Sequence, residues 1–101
     1  WHSAEVVSIP EGTQVLATTD ACAVQSMRWH TRAHTVQFHL EVEQDTVRNW
    51  AKIPEYLSAL ENALGKNGVE KLQNDANKTQ AKFETLAERV YINWMQTIAK
   101  P

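Results

Sequence analysis

Apolar and polar positions along this chain follow two rhythms, and the change falls near residue 43. Before it, short runs with a period of two alternate with turn signals; after it, the apolar positions recur at helical spacing to the end. Val6-Val7-Ser8-Ile9 reads as a strand stopped by the turn cluster Pro10-Glu11-Gly12, and Val15-Leu16-Ala17-Thr18 as a second strand ended by Thr19-Asp20. Over residues 23–29, Val24, Ser26 and Arg28 alternate with Gln25, Met27 and Trp29. Thr31-Arg32-Ala33-His34 reads as a hairpin turn. Residues 35–40 give the strongest strand signal, with Val36, Phe38 and Leu40 expected on one face. Strands at this spacing predict an antiparallel meander or one edge of a larger sheet.

The helical half begins at Asp45, the expected N-cap of a short helix carrying Val47, Trp50 and Ala51. Pro54 opens another helix with Ile53, Leu57, Leu60 and Leu64 in its stripe, and Gly65 closes it. From Val69 to Ala99 the stripe runs through Leu72, Ala76, Phe83, Leu86, Val90, Trp94 and Ile98. About thirty residues of helix reach roughly 45 Å, wider than so small a domain. The weak helix formers Asn74-Asp75-Ala76-Asn77 mark the expected break.

A length of 101 residues suits one small domain, and 43% hydrophobic with 22% charged residues is an ordinary globular balance. The net charge of -2 comes without any block of Lys or Arg, so the electrostatic footprint of a nucleic-acid binder is missing. No apolar run is long enough to cross a bilayer, and no signal-peptide pattern occurs. The single cysteine, Cys22, has no internal disulfide partner, which fits a reducing compartment. The chain opens on Trp1-His2-Ser3 without an initiator methionine and enters a strand-like pattern almost at once, so its start is expected to be a cut within a larger fold.

The sharpest chemistry lies in Gln37-Phe38-His39-Leu40-Glu41-Val42. On a strand, residues two apart share a face, so His39 and Glu41 would project together while Phe38 and Leu40 enter a core. A carboxylate beside an imidazole accepts its ring N–H and stabilises the imidazolium, the base-plus-orienter pair of a nucleophilic triad. The spacing alone leaves a structural or surface role open, because H-x-E is a common triplet.

This segment resembles the Q-F-H-P-E signature of class I glutamine amidotransferases, with Leu40 in place of the usual proline. Trp1-His2-Ser3-Ala4-Glu5-Val6 is similar to the family's H-G-D-x-V segment. Pro10-Glu11-Gly12 with Val15-Leu16-Ala17 is similar to its P-x-G-x-x-L-A turn and strand, and residues 21–28 to its A-C-x-x-Q-A-F-R strand. The helices closing on Tyr91-Ile92-Asn93-Trp94-Met95 look like the tail of stand-alone members related to the amidotransferase domain of GMP synthase. The resemblance is specific over 1–42 and looser over 43–101.

The fold it implies is α/β, the C-terminal portion of a flavodoxin-like amidotransferase domain. Residues 1–42 would supply late strands with an antiparallel excursion and the His/Glu motif, and residues 43–101 the C-terminal helices. The implied activity is hydrolysis of the glutamine side-chain amide by a Cys-His-Glu triad, with His39 activating the thiol and Glu41 orienting His39. Backbone groups at Ser3 and Ala4 would help hold the glutamine, although Ala4 stands where aspartate is common in the nearest members. The family's G-x-C-x-G elbow occurs nowhere in this sequence, so the expected partners are the missing N-terminal half of the domain and an ammonia-accepting synthetase. No cofactor and no metal are expected, nor a nucleic acid or a membrane as partner, and the family's habit points to the cytoplasm.

Other residues have plainer readings. Cys22 lacks the glycines of a strained elbow and reads as a small buried hydrophobe. His30, His34 and His39 lie around a turn with no cysteine or carboxylate to complete a ligand set. His2 reads as a packing or hydrogen-bonding residue near the site. Trp50, Phe83 and Trp94 read as core. The stripe from Val69 to Ile98 either packs on its own sheet or forms a partner interface. Two alternatives to the amidotransferase therefore stand: a γ-glutamyl peptidase-like hydrolase on the same fold, and a non-catalytic helical interaction module.

Overall fold

A computed structural model of the chain describes residues 2–99. Trp1, which opens the first family-like segment, lies outside the described residues, as do Lys100 and Pro101. Three strands, β1 (Thr13–Thr19), β2 (Cys22–Trp29) and β3 (Ala33–Val36), precede three helices, α1 (Thr46–Ala51), α2 (Pro54–Leu64) and α3 (Gly68–Ala99). The secondary structure is thus α/β, with an antiparallel sheet followed by helices. The chain forms two compact units: residues up to His39 together with those from Glu88 onward, and Leu40–Ala87.

In the first unit the sheet order is β1-β2-β3, both pairings antiparallel. The central strand β2 buries Cys22, Val24 and Ser26 at the period of two that a pleated strand imposes. The β1–β2 register slips twice. Leu16 is an extra residue on β1 between the Val15 and Ala17 pairings, and between the Ala17 and Thr19 pairings the extra residues lie on β2. At the β1–β2 turn, the Cys22 amide donates to Thr19 Oγ1 at 3.2 Å. Arg28 ties the outer end of the hairpin by donating to Gln14 Oε1 at 2.7 Å. Gly12 sits at φ 82°, a backbone conformation that favours glycine, and a Cβ there would press on the His30 ring carbon Cε1 at 3.2 Å.

Two strand expectations are corrected. Residues 6–9 form no strand; Val7 is 89% exposed, and no described strand pairs with this segment. The strand expected over 35–40 ends at Val36. The Gln37 amide still donates to Gln25 O at 2.7 Å, and the backbone bends through Gln37 and Phe38. The reason is pairing. The stretch of β2 that residues 38–40 would have to join is the one with the slipped register, and a strand without a regular partner leaves its N–H and C=O groups unsatisfied. The hairpin turn is also shorter than expected, since Ala33 and His34 already belong to β3.

In the second unit, α1 follows the N-cap Asp45, whose side chain makes no capping bond. Thr46 does the local work instead, its hydroxyl oxygen accepting the Glu43 amide at 2.8 Å while its own amide donates to Glu43 O at 3.1 Å. Pro54 opens α2 and Gly65 closes it at φ 88°, ψ -179°. Val47 and Leu60 are buried, Leu60 to 2% exposure, whereas Ile53 and Leu64 at the ends of the α2 stripe stay exposed. Helix α3 runs unbroken through Asn74–Asn77, correcting the expected interruption. Side chains bridge one turn there, Gln73 Nε2 donating to Asn77 Oδ1 at 2.8 Å and, a little further on, Gln80 Nε2 to Glu84 Oε1 at 3.3 Å. Such pairs offset weak propensity. Among the described residues no helix is long and apolar enough to cross a membrane.

Candidate functional site

Within the first unit an open depression of about 460 Å³ lies against the sheet, lined by His2, Ala17, Thr19, Cys22, Gln25 and Phe38 among others. Each segment with a family-like motif over 1–42 sends at least one residue here: His2 from the first, Ala17 from the turn and strand, Cys22 and Gln25 from β2, and Phe38 from the His/Glu motif. Its volume falls within the range of small-molecule sites, and its walls mix apolar groups with a few placed polar ones.

The polar wall is a short relay. His2 Nδ1 donates to the Ala4 carbonyl at 2.7 Å, since a carbonyl only accepts. His2 Nε2 lies 3.1 Å from Gln25 Oε1, and Gln25 Nε2 donates to Thr19 Oγ1 at 3.1 Å. The Nδ1 bond to the Ala4 carbonyl ties the His2 ring to the backbone two residues on. This is the hydrogen-bonding role its position suggests. Ser3 and Ala4, the residues expected to offer backbone groups to glutamine, are exposed beside it.

Phe38 turns into the depression, and His39 follows it on irregular backbone, half-buried. Glu41 is exposed and also on irregular backbone. Pleating therefore does not send the two side chains to one face, because the motif lies beyond the end of β3. His39 closes the first unit and Leu40 opens the second, so the two motif residues belong to different units. Both make interactions within the chain.

Cys22 is 5% exposed, and its Sγ lies 3.6 Å from the Val24 carbonyl. It is a packed β-strand cysteine, without the exposed, strained elbow of a nucleophile. No cluster of three or more His, Cys, Asp or Glu positioned to hold a metal ion occurs among the described residues. Trp50 and Phe83 are half-buried, whereas Trp94 is 42% exposed and so is not the core residue expected. Near it Val90, Tyr91, Ile92, Met95 and Ile98 are exposed too.

Two features carry little or no sign in the sequence. Gln25 is a polar position in an alternating run, and nothing in that run signals a histidine partner 23 residues away. Gln73 and Gln80 look like solvated helix positions. Their spacing with Asn77 and Glu84, all on one helix face, is the one sign that they act together.

The chain matches no family model, and no solved structure matches it. Over 61 residues it is 36% identical to a subunit of the glutamine-hydrolyzing GMP synthase of Methanocaldococcus jannaschii, an alignment that takes in 54% of this chain and 32% of that protein. The chain thus spans about a third of the relative it matches. The likeness is partial, and it is to part of an enzyme that hydrolyses glutamine.

Proposed function

We propose that this chain carries the histidine and carboxylate of a class I glutamine amidotransferase, with His39 as general base and acid and Glu41 as its orienting carboxylate. The supporting observation is the partial likeness to a glutamine-hydrolysing GMP synthase, and the convergence of the four family-like segments on one depression agrees with it. The nucleophilic thiol comes from a G-x-C-x-G elbow outside these residues. His39 takes the thiol proton, and the thiolate attacks the side-chain amide carbon of glutamine. The C–N bond breaks as His39 returns the proton to the departing nitrogen, giving ammonia and a thioester. Water, deprotonated by His39, then releases glutamate and restores the thiol. Glu41 accepts the other ring N–H, fixing the tautomer and stabilising the imidazolium. Backbone groups at Ser3 and Ala4, held by the His2 bond, contact the substrate, and a synthetase domain or separate synthetase chain consumes the ammonia.

The test is ammonia release from glutamine by the full-length polypeptide carrying this sequence. His39→Ala should abolish turnover while circular dichroism stays native; full activity in that variant refutes the assignment. Parallel rates on γ-glutamyl dipeptides separate the amidotransferase from a peptidase with the same triad. The exposed apolar side chains from Val90 to Ile98 favour a second reading, a non-catalytic interaction module. A polypeptide that sediments as a monomer and turns over glutamine excludes it.

A further inference from the structure

The segment that follows the motif is irregular, yet its backbone is held at consecutive residues. Gln80 Nε2 donates to Val42 O at 3.1 Å, and Gln73 Nε2 donates to Gln44 O at 3.0 Å. Between these carbonyls, Glu43 is fixed through both its amide and its carbonyl by Thr46. Every one of these groups lies in the second unit. The carbonyls can only accept, so neither glutamine can turn its amide over without setting oxygen against oxygen. Asn77 and Glu84 accept a second bond from each amide and hold it in that orientation. Gln73 is 6% exposed and its Oε1 has no partner, although a buried polar atom left unpaired is destabilising. Its position is therefore maintained by what its nitrogen does.

We infer that Gln73 and Gln80 are positioning residues that clasp residues 42–44 and thereby fix the backbone from which Glu41 projects. The inference rests on the proposed role of Glu41. Glu41 is joined directly to Val42, with about 3.8 Å between successive Cα atoms, so a shift of the clasped backbone carries Glu41 with it. An orienting carboxylate depends on placement, because a displacement of about 1 Å is enough to cost up to roughly a hundredfold in rate. The helix supplies a rigid base for this, and the two donors sit about two turns apart on one face, as the spacing from 73 to 80 requires.

The experiment uses the full-length polypeptide with Gln80→Met, which keeps length and helix propensity but removes the donor, and Gln80→Lys, which restores one. Amide order parameters of Val42–Gln44 are measured by NMR relaxation beside steady-state glutaminase kinetics. Gln80→Met is expected to lower those order parameters from about 0.85 towards about 0.6. It should also lower kcat roughly ten- to hundredfold with KM for glutamine nearly unchanged. Gln80→Lys should recover both. Unchanged order parameters in Gln80→Met overturn the clasp. A loosened segment with unchanged kcat overturns the positioning role while leaving the hydrolase reading intact. His39→Ala, with order parameters unchanged and turnover lost, marks that reading as sound; a wild-type polypeptide that releases no ammonia from glutamine sinks the hydrolase reading and the inference with it.

Discussion

Helix α3 can present Gln73 and Gln80 only if the α2–α3 turn aims it correctly, and that turn hangs on Gly65. At φ 88° and ψ -179° its backbone occupies a region open almost solely to glycine. Its amide donates to Glu61 O at 2.7 Å and its carbonyl accepts the Gly68 amide at 2.9 Å, so the conformation is held from both sides. A Cβ built at Gly65 meets nothing within 4 Å, which removes crowding from the account. The effect of Gly65→Ala is therefore backbone strain, about 1–3 kcal/mol for such a conformation. Set against it is the roughly 0.4–1 kcal/mol that alanine contributes by restricting the unfolded chain. At the midpoints of the two ranges the net loss is about 1.3 kcal/mol, which lowers Tm by roughly 5–10 °C in a domain of this size. Thermal melts followed by circular dichroism measure it. A D-alanine at position 65, introduced by chemical ligation, prefers positive φ and should melt at or above the wild type. An L-alanine variant with an unchanged or raised Tm refutes the reasoning, because the strain is its only source of cost.

Two further predictions concern packing. Leu60→Ala removes a fully buried side chain in the Leu40–Ala87 unit and should cost about 2–5 kcal/mol, read from the same melts. A loss under about 0.5 kcal/mol, the usual scale of surface changes, would mean that Leu60 is not core. Cys22 should react slowly with an aromatic disulfide reagent in the native protein and quickly in denaturant, because the buried thiol must be uncovered first. Fast native labelling would reopen Cys22 as a nucleophile.

Much of the fold is legible where one element decides its own conformation. The alternation in residues 23–29 puts Val24 and Ser26 on a common face, which the structure buries, and Pro54 and Gly65 mark both ends of α2. What fails depends on partners. Val6–Ile9 and residues 37–40 have strand-like composition, but β-structure exists only where a neighbour accepts its hydrogen bonds, and the sequence does not show where β2 stops offering them. Propensity alone marks 74–77 as a break, and bonds between side chains of α3 overrule it. His39 and Glu41 are legible as a motif rather than through geometry, since strand pleating does not reach them. The bonds that Gln73 and Gln80 make to Gln44 and Val42 are invisible in the sequence because those acceptors are backbone carbonyls, which any residue supplies.

The bulge in β1 has a consequence for how this protein behaves at high concentration. A sheet that ends in a flat, regular strand offers a row of N–H and C=O groups on which another chain can stack. Leu16 interrupts that row on one side of the sheet, and β3, only four residues long, offers little of it on the other. Val15, Leu16 and Val36 nevertheless keep exposed apolar surface near these borders. Strand-on-strand growth at these borders is therefore disfavoured, and association there would rest on apolar contact without a backbone register.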